Sequence, residues 1–159
     1  KGDDRFEITS QPTYTFSKAN KKVTTKYTTT DKPLDDSEAK DEDGKNILDL
    51  DGNKVINYGL KTLAKNRCKI IANGLISRFN WLVERSIYDS SKAIPDAVKT
   101  YVTAIRKDCS DIETAIDNAS DMTAFKALYA DELNSDGTIK TVNRINRWTS
   151  DSTVEEYIR

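Results

Sequence analysis

Histidine is absent from this chain of 159 residues, and the chain has only two cysteines, one methionine, three prolines and six glycines. Without histidine, zinc sites with an imidazole ligand are excluded, and so is any catalytic triad whose base is histidine. Two thiols alone are a poor metal site, and the scattered glycines form no phosphate-binding loop after a strand. No apolar run approaches the roughly 20 residues that cross a bilayer.

Charge is plentiful but balanced between the two signs. The chain has 25 basic and 26 acidic residues, so its net charge is −1. Because phosphate contacts need a basic surface, we predict that the chain does not bind nucleic acid. Its amino end has no basic, apolar leader, and we expect neither a secretory signal nor membrane binding. With 36% hydrophobic residues, we expect a thin core and an apolar surface partly covered by other chains.

Two apolar stripes at helical spacing are the most informative pattern. The first consists of Leu60, Leu63, Ala64, Cys68, Ile71, Leu75, Phe79 and Leu82, and the second of Val98, Tyr101, Val102, Ile105, Cys109, Ile112 and Ile116. Side chains three and four residues apart lie on one helix face. We therefore predict an antiparallel helical hairpin, with helices over about 59–87 and 95–118, joined by a polar break that ends in Ile94-Pro95. A bend or a close backbone approach is expected at Gly74.

The two cysteines lie in these stripes, one in each. We interpret them as small buried apolar residues, because free cysteine commonly behaves this way in protein cores. A disulfide between the helices is the alternative if the two positions face each other, and the sequence alone leaves the choice open.

Residues 1–34 alternate polar with aromatic or β-branched side chains, which predicts a small β module. Residues 13–17 and 23–29 form a hairpin around a polar turn, and Phe6, Glu7 and Ile8 supply a third short strand. The covered face of this hairpin would contain Tyr14, Phe16, Val23, Thr25 and Tyr27. An isolated hairpin is marginally stable in water, so we expect this face to pack on something.

Three further segments complete the predicted α+β fold. Residues 35–58 read as an acidic linker followed by a short hairpin at Asp51-Gly52. The helical domain spans 59–133 and ends in a third, shorter helix capped by Ser120 or Asp121. The apolar face of that helix would contain Met122, Phe125, Leu128, Tyr129 and Leu133. Residues 134–159 form a carboxyl tail of ambiguous structure.

Acidic runs at residues 41–44 and 49–52 resemble fragments of a calcium-binding EF-hand loop. That loop needs oxygen ligands at its first position and a glutamate at its twelfth. With Gly52 at the sixth position, these would be Ile47 and Tyr58, and neither can serve. The run ending in Gly44 fails in the same way, so both runs are interpreted as turns, and we predict no metal ion and no cofactor.

Carboxylate pairs are numerous, but no apolar pocket pattern surrounds one of them, so we predict that the chain is not an enzyme. Trp81 and Arg85 lie four residues apart on one helix face and are residue types enriched at interface hot spots. The competing interpretation is that Trp81 closes the end of the two-helix core. Trp148 could serve similarly in the tail.

The order Asn80-Trp81, Arg85, Ile94-Pro95, Val98, Tyr101 and Ile105-Arg106 resembles a motif of bacteriophage tail fibre assembly proteins and tail assembly chaperones. The resemblance covers about residues 60–117. Asn80 stands where that family usually has aspartate, and Val102 replaces an arginine. Residues 51–61, together with the amino-terminal β module, are similar to virion proteins of marine phages related to the T4-like group.

The resemblance implies a non-enzymatic structural or assembly component of a tailed phage particle, present in several copies and located in the virion after assembly in the host cytoplasm. Its partners would be tail or tail-fibre subunits. The alternative is a transient tail fibre assembly chaperone that does not stay in the mature virion. We predict as protein-contact residues Trp81, Arg85, Tyr101, Trp148 and the face formed by Tyr14, Phe16 and Tyr27.

Overall fold

The computed structural model describes residues 2–158 and has the predicted α+β composition, with antiparallel β pairs first and helices after them. The chain divides into two compact units, Lys1–Thr62 and Leu63–Arg159. The strands of the first unit are β1 (Glu7–Thr9), β2 (Thr13–Ser17), β3 (Lys22–Lys26), β4 (Thr29–Asp31), β5 (Ser37–Glu38) and β6 (Ile56–Asn57). Helix α1 (Leu60–Ser77) begins at its end.

The second unit continues α1 and contains three more α-helices, one β pair and two short 3₁₀ helices. These are α2 (Asn80–Tyr88), α3 (Asp96–Asp117), α4 (Met122–Ala127), β7 (Glu132–Leu133), β8 (Ile139–Thr141) and the 3₁₀ helices Arg144–Asn146 and Ser152–Tyr157.

The amino-terminal strands form one long two-stranded ribbon. The hairpin predicted at residues 13–29 is confirmed as β2 paired with β3, and the predicted third strand is β1, which pairs with β4. Between the two ladders, three residues (10–12) on one strand lie opposite two (27 and 28) on the other, so the ribbon contains a bulge. Pro12 lies in this bulge, where its missing N–H removes no ladder hydrogen bond.

Residues 33–62 form a junction of three short antiparallel stems. The first stem pairs β5 with β6, and single bridges mark the other two, Lys40 with Asn46 and Leu48 with Lys54. The stems meet at three residues that bond in a cycle: the N–H of Ala39 donates to Val55 O, that of Val55 to Ile47 O, and that of Ile47 to Ala39 O. The segment predicted as an acidic linker is therefore an ordered part of this junction.

The two hairpin loops of the junction repeat one turn, with a spacing of eight residues. In the first, the Asp41 carboxylate accepts hydrogen bonds from the N–H groups of residues 43 and 45, and in the second the Asp49 carboxylate accepts from residues 51 and 53. Gly44 and Gly52 follow with φ of +79° and +82°, a conformation that favours glycine. The predicted interpretation of both acidic runs as turns is confirmed.

In the second unit, α1 and α3 run antiparallel, as the apolar stripes predict. Ion pairs join them at two levels, Lys65 to Asp117 at 2.8 Å and Lys69 to Glu113 at 3.2 Å. The largest buried side chains of the unit are Phe125, Leu82, Ile105, Ile112, Ile116, Val98 and Val154. Four of them belong to α3, so one face of this helix carries most of the core.

The first arm of the helical hairpin differs from the prediction, because it consists of two helices that separate at residues 78 and 79. Phe79 leaves helical geometry (φ −106°, ψ 2°) and is buried in the core. Gly74, where a bend was expected, lies inside α1, and a Cβ built there has no atom within 4 Å. The expected close backbone approach at Gly74 is therefore wrong.

The third helix is α4. Of its two predicted caps, Ser120 and Asp121, the structure uses Asp121, whose carboxylate accepts a hydrogen bond from the Ala124 N–H at 2.8 Å. Leu133, predicted on its apolar face, instead lies in β7 and is exposed. Helix α4 ends at Ala127, and the turn at residues 134–137 joins β7 to β8, so Leu133 lies in a strand and not on the helix.

The open surroundings of Gly74 predict that Gly74→Ala stabilises the helical unit. Alanine removes backbone entropy from the unfolded chain and meets no neighbour, so the free energy of unfolding should rise by about 0.5–1 kcal/mol. Urea unfolding followed by circular dichroism at 222 nm measures it. The reverse change in the same helix, Ala72→Gly at a buried position, should lower stability. A destabilised Gly74→Ala variant would contradict the geometry.

Candidate contact surfaces

One face of the amino-terminal ribbon is apolar and open to solvent. Tyr14 pairs across the strands with Thr25, and Phe16 pairs with Val23, so these side chains share a face. Tyr14 is 70% exposed, Phe16 61% and Val23 57%. Tyr27, just beyond β3, is also exposed. The face that the sequence predicts to be covered is thus uncovered in the isolated chain.

Trp81 and Arg85 of α2 form a contact with the carboxyl-terminal segment of the same unit. The Trp81 indole Nε1–H donates a 2.9 Å hydrogen bond to the Tyr157 carbonyl oxygen. The Arg85 guanidinium carbon lies 5.0 Å from the centroid of the Trp81 ring, which is cation–π geometry. The indole therefore holds the end of the chain against α2, as the core-closing interpretation of Trp81 expects.

Two other residues predicted as contacts also lie in or against this core. Tyr101 is only 8% exposed, and its ring meets that of Phe79 edge-on at 5.7 Å between centroids. Trp148 is partly buried and packs against the core cluster that contains Val154. These side chains support the fold of the helical unit, and the ribbon supplies the openly exposed members of the predicted contact set, Tyr14, Phe16 and Tyr27.

The two cysteines face each other between α1 and α3. The Cys68 and Cys109 Sγ atoms are 3.2 Å apart and both residues are free thiols, since a disulfide would bring the sulfur atoms to about 2.05 Å. Burial is the main cause that raises the pKa of the Cys68 thiol to about 12, and the Cys109 thiol adds to the shift. Cys68 therefore stays protonated at neutral pH and packs as a small apolar residue.

A cleft of about 250 Å³ opens between the first arm and α3. Aliphatic and aromatic side chains form most of its lining, including Ile76, Phe79 and Val102. Its polar lining residues are Asn80, Lys99 and Arg106, so no carboxylate faces it.

Carboxylates with displaced pKa values serve turns and ion pairs. Backbone N–H groups, first that of Asn53, donate to Asp49 and lower the pKa of its carboxyl group. A hydrogen bond from Lys54 lowers the pKa of Glu38 in the first stem of the junction. Because a lowered pKa favours the ionised form, these groups stabilise the folded state at neutral pH. That contribution is lost as the pH falls through the lowered pKa.

Within residues 2–158, no three side chains of the metal-binding types come together as a metal site. In the same range no helix combines the length and the apolar character that crossing a membrane requires.

The Trp81 geometry predicts that Trp81→Phe destabilises the helical unit. The variant loses the hydrogen bond to Tyr157 and part of the indole packing, so the free energy of unfolding should fall by about 1–3 kcal/mol. Urea unfolding measures the change. Tyr88→Phe is the matched control, because Tyr88 belongs to the same helix and is almost fully exposed. Unchanged stability of Trp81→Phe would argue for a role at an interface instead.

Comparison with known proteins identifies no relative of this chain. No protein-family model, no curated protein and no solved structure matches the chain. The functional proposal therefore depends on the exposed face of the ribbon and on the motif order described from the sequence.

Proposed function

We propose that this chain is a non-enzymatic structural or assembly component of a tailed bacteriophage particle, associated with the tail or its fibres and acting through protein–protein contacts. The observation that carries the proposal is the small core of the amino-terminal unit. Its buried hydrophobic residues, within the described range, are Phe6 and Ala39, whereas its large apolar side chains lie mostly at the surface. A unit of this kind needs a neighbouring molecule to cover it.

Leaving these apolar side chains in water costs free energy that their burial on a partner would recover. Two-stranded ribbons are marginally stable alone. Covering one aromatic or aliphatic side chain contributes about 1.5–3 kcal/mol. The ribbon offers Ile8, Tyr14, Phe16, Val23 and Tyr27, each more than half exposed. Their combined burial on a partner would exceed the stability that the ribbon can obtain from its own cross-strand pairs.

The placement of these residues favours a lasting subunit over a transient chaperone. Open strand edges and an apolar sheet face are surfaces on which a neighbouring chain can remain. The aromatic residues of the carboxyl tail, Trp148 and Tyr157, pack on the helical core. The proposal of a lasting subunit is therefore supported by the ribbon and not by the tail. In this proposal the chain is assembled in the host cytoplasm and kept in the virion.

Mass spectrometry of gradient-purified particles of the phage that encodes this chain tests the proposal. We expect the protein in the particles, in a fixed number of copies that is greater than one. Its presence in infected-cell lysate together with its absence from purified particles would contradict the virion role and support the chaperone alternative.

The ribbon face predicts a loss of incorporation when its aromatic residues are made polar. In a Tyr14→Ser, Phe16→Ser variant, the number of copies per particle should fall about tenfold or more, because two apolar contacts are lost. Helical unfolding should stay unchanged. The control is Thr13→Ser, Thr15→Ser, which alters the neighbouring positions of the same strand. Normal incorporation of the aromatic variant would contradict a role for this face.

A further inference from the structure

Charge on the ribbon is all of one sign along most of its length. Residues 8–30 contain Lys18, Lys21, Lys22 and Lys26 and no acidic residue, although the whole chain has a net charge of −1. All four lysines are exposed. Lys18 and Lys21 lie in the turn at the far end of the ribbon, beside the open apolar face, whereas Lys22 and Lys26 alternate with Val23 and Thr25 and project from the opposite face.

The junction of residues 33–62 has the opposite character. Residues 35–57 contain eight acidic side chains and three lysines. Glu42, Asp43 and Asp51 are exposed at the tips of the two repeated turns, and Leu50 between them is fully exposed. The junction therefore presents acidic groups beside an uncovered apolar side chain, which complements the ribbon in both charge and polarity.

We propose that the basic ribbon of one copy docks on the acidic junction of a second copy of this chain. Lys18 and Lys21 of the ribbon turn would lie near the acidic turn tips, while Tyr14 and Phe16 cover apolar groups such as Leu50. Opposite charges steer and orient such a contact. The inference rests on the proposed function, because it names the partner that an assembly component present in several copies contacts.

The exposure of both surfaces shows that they do not cover each other within one chain. Tyr14, Phe16 and Leu50 belong to the same compact unit, and each is more than half exposed there. Contact of one ribbon with another ribbon would bring lysines together, and contact between two junctions would bring carboxylates together. Contact between the ribbon of one copy and the junction of another is the combination in which the charges attract.

A contact between two different surfaces of identical chains leaves one ribbon and one junction unoccupied after each addition. Such head-to-tail contacts close into a ring if the rotation between copies permits, and otherwise continue as a filament. Assemblies larger than a dimer are therefore expected.

Sedimentation velocity of the purified full chain tests the proposal. We expect association that depends on protein concentration at about 50 mM salt and that weakens strongly at about 500 mM, where the screening length falls below 5 Å. Two variants reverse the charge of one surface each: Lys18→Glu with Lys21→Glu on the ribbon turn, and Glu42→Lys with Asp43→Lys on the junction. Neither substituted junction carboxylate accepts a turn hydrogen bond; Asp41 does, and it is left intact.

Each variant alone should lose association by about tenfold or more, because like charges then meet in every copy. An equimolar mixture of the two variants should regain association, because each ribbon again finds a junction of opposite charge. The control, Arg67→Glu with Lys92→Glu, changes the net charge in the same direction and by the same amount as the ribbon variant, at exposed positions of the helical unit, and should associate like the original chain.

A chain that stays monomeric at low salt would overturn the proposal, and so would variants that associate normally or fail to recover on mixing. A chain that is monomeric alone but is found in particles would show that the ribbon binds a different protein, and it would leave the proposed function intact. Association in solution without incorporation into particles would support the inference and contradict the proposed function.

Discussion

Burial of one face of α3 is the constraint on which the helical unit depends. Val98, Tyr101, Ile105, Ile112 and Ile116 all point into the core, and they must be covered together, because they lie on the same side of a single helix. The first arm covers part of this face, and both 3₁₀ helices of the carboxyl-terminal segment also contact α3. The hydrogen bond from Trp81 to Tyr157 then fixes the end of that segment.

The amino-terminal unit is organised by a different interaction, the backbone hydrogen bond. Its strands are two to five residues long, and its cyclic junction joins three N–H groups to three carbonyl groups. Such bonds define geometry well, but each contributes only about 1 kcal/mol of net stability. This difference explains why the amino-terminal unit exposes most of its large apolar side chains, whereas the helical unit buries a larger set of them in a core.

The sequence predicts those elements that local patterns determine. The helical period identifies α3, Pro95 marks its beginning, and Asp121 caps α4 as predicted. The ribbon hairpin follows from strict alternation. The position of the break before α2 could not be predicted, because the helical period continues through Phe79 and the bend was expected at Gly74, which lies inside α1. Its cause is tertiary, since Phe79 leaves the helix in order to enter the core.

The junction and the roles of the candidate contact residues depend on partners distant in the sequence. Ala39 and Val55 bond across 16 residues, and strands of two residues have no recognisable period. The repeat of Asp-x-Asp-Gly after eight residues was a signal that could have shown the two equivalent turns. Trp81 is assigned to the core by its packing and by an acceptor 76 residues away. Tyr14 and Phe16 are exposed because, among the described residues, no element covers that face of the ribbon.

The first stem of the junction, where the chain enters and leaves it, has a mechanical consequence. Leu60 N–H donates to Pro33 O, Lys61 N–H to Leu34 O, and Gly59 N–H to the Asp36 carboxylate. Residues 32 and 62 lie at the same open end of this stem, so tension applied between them would load these bonds one after another from that end, while the 17 residues from Ala39 to Val55 carry no force until the stem opens. The stem must therefore open before the chain between its two strands can extend.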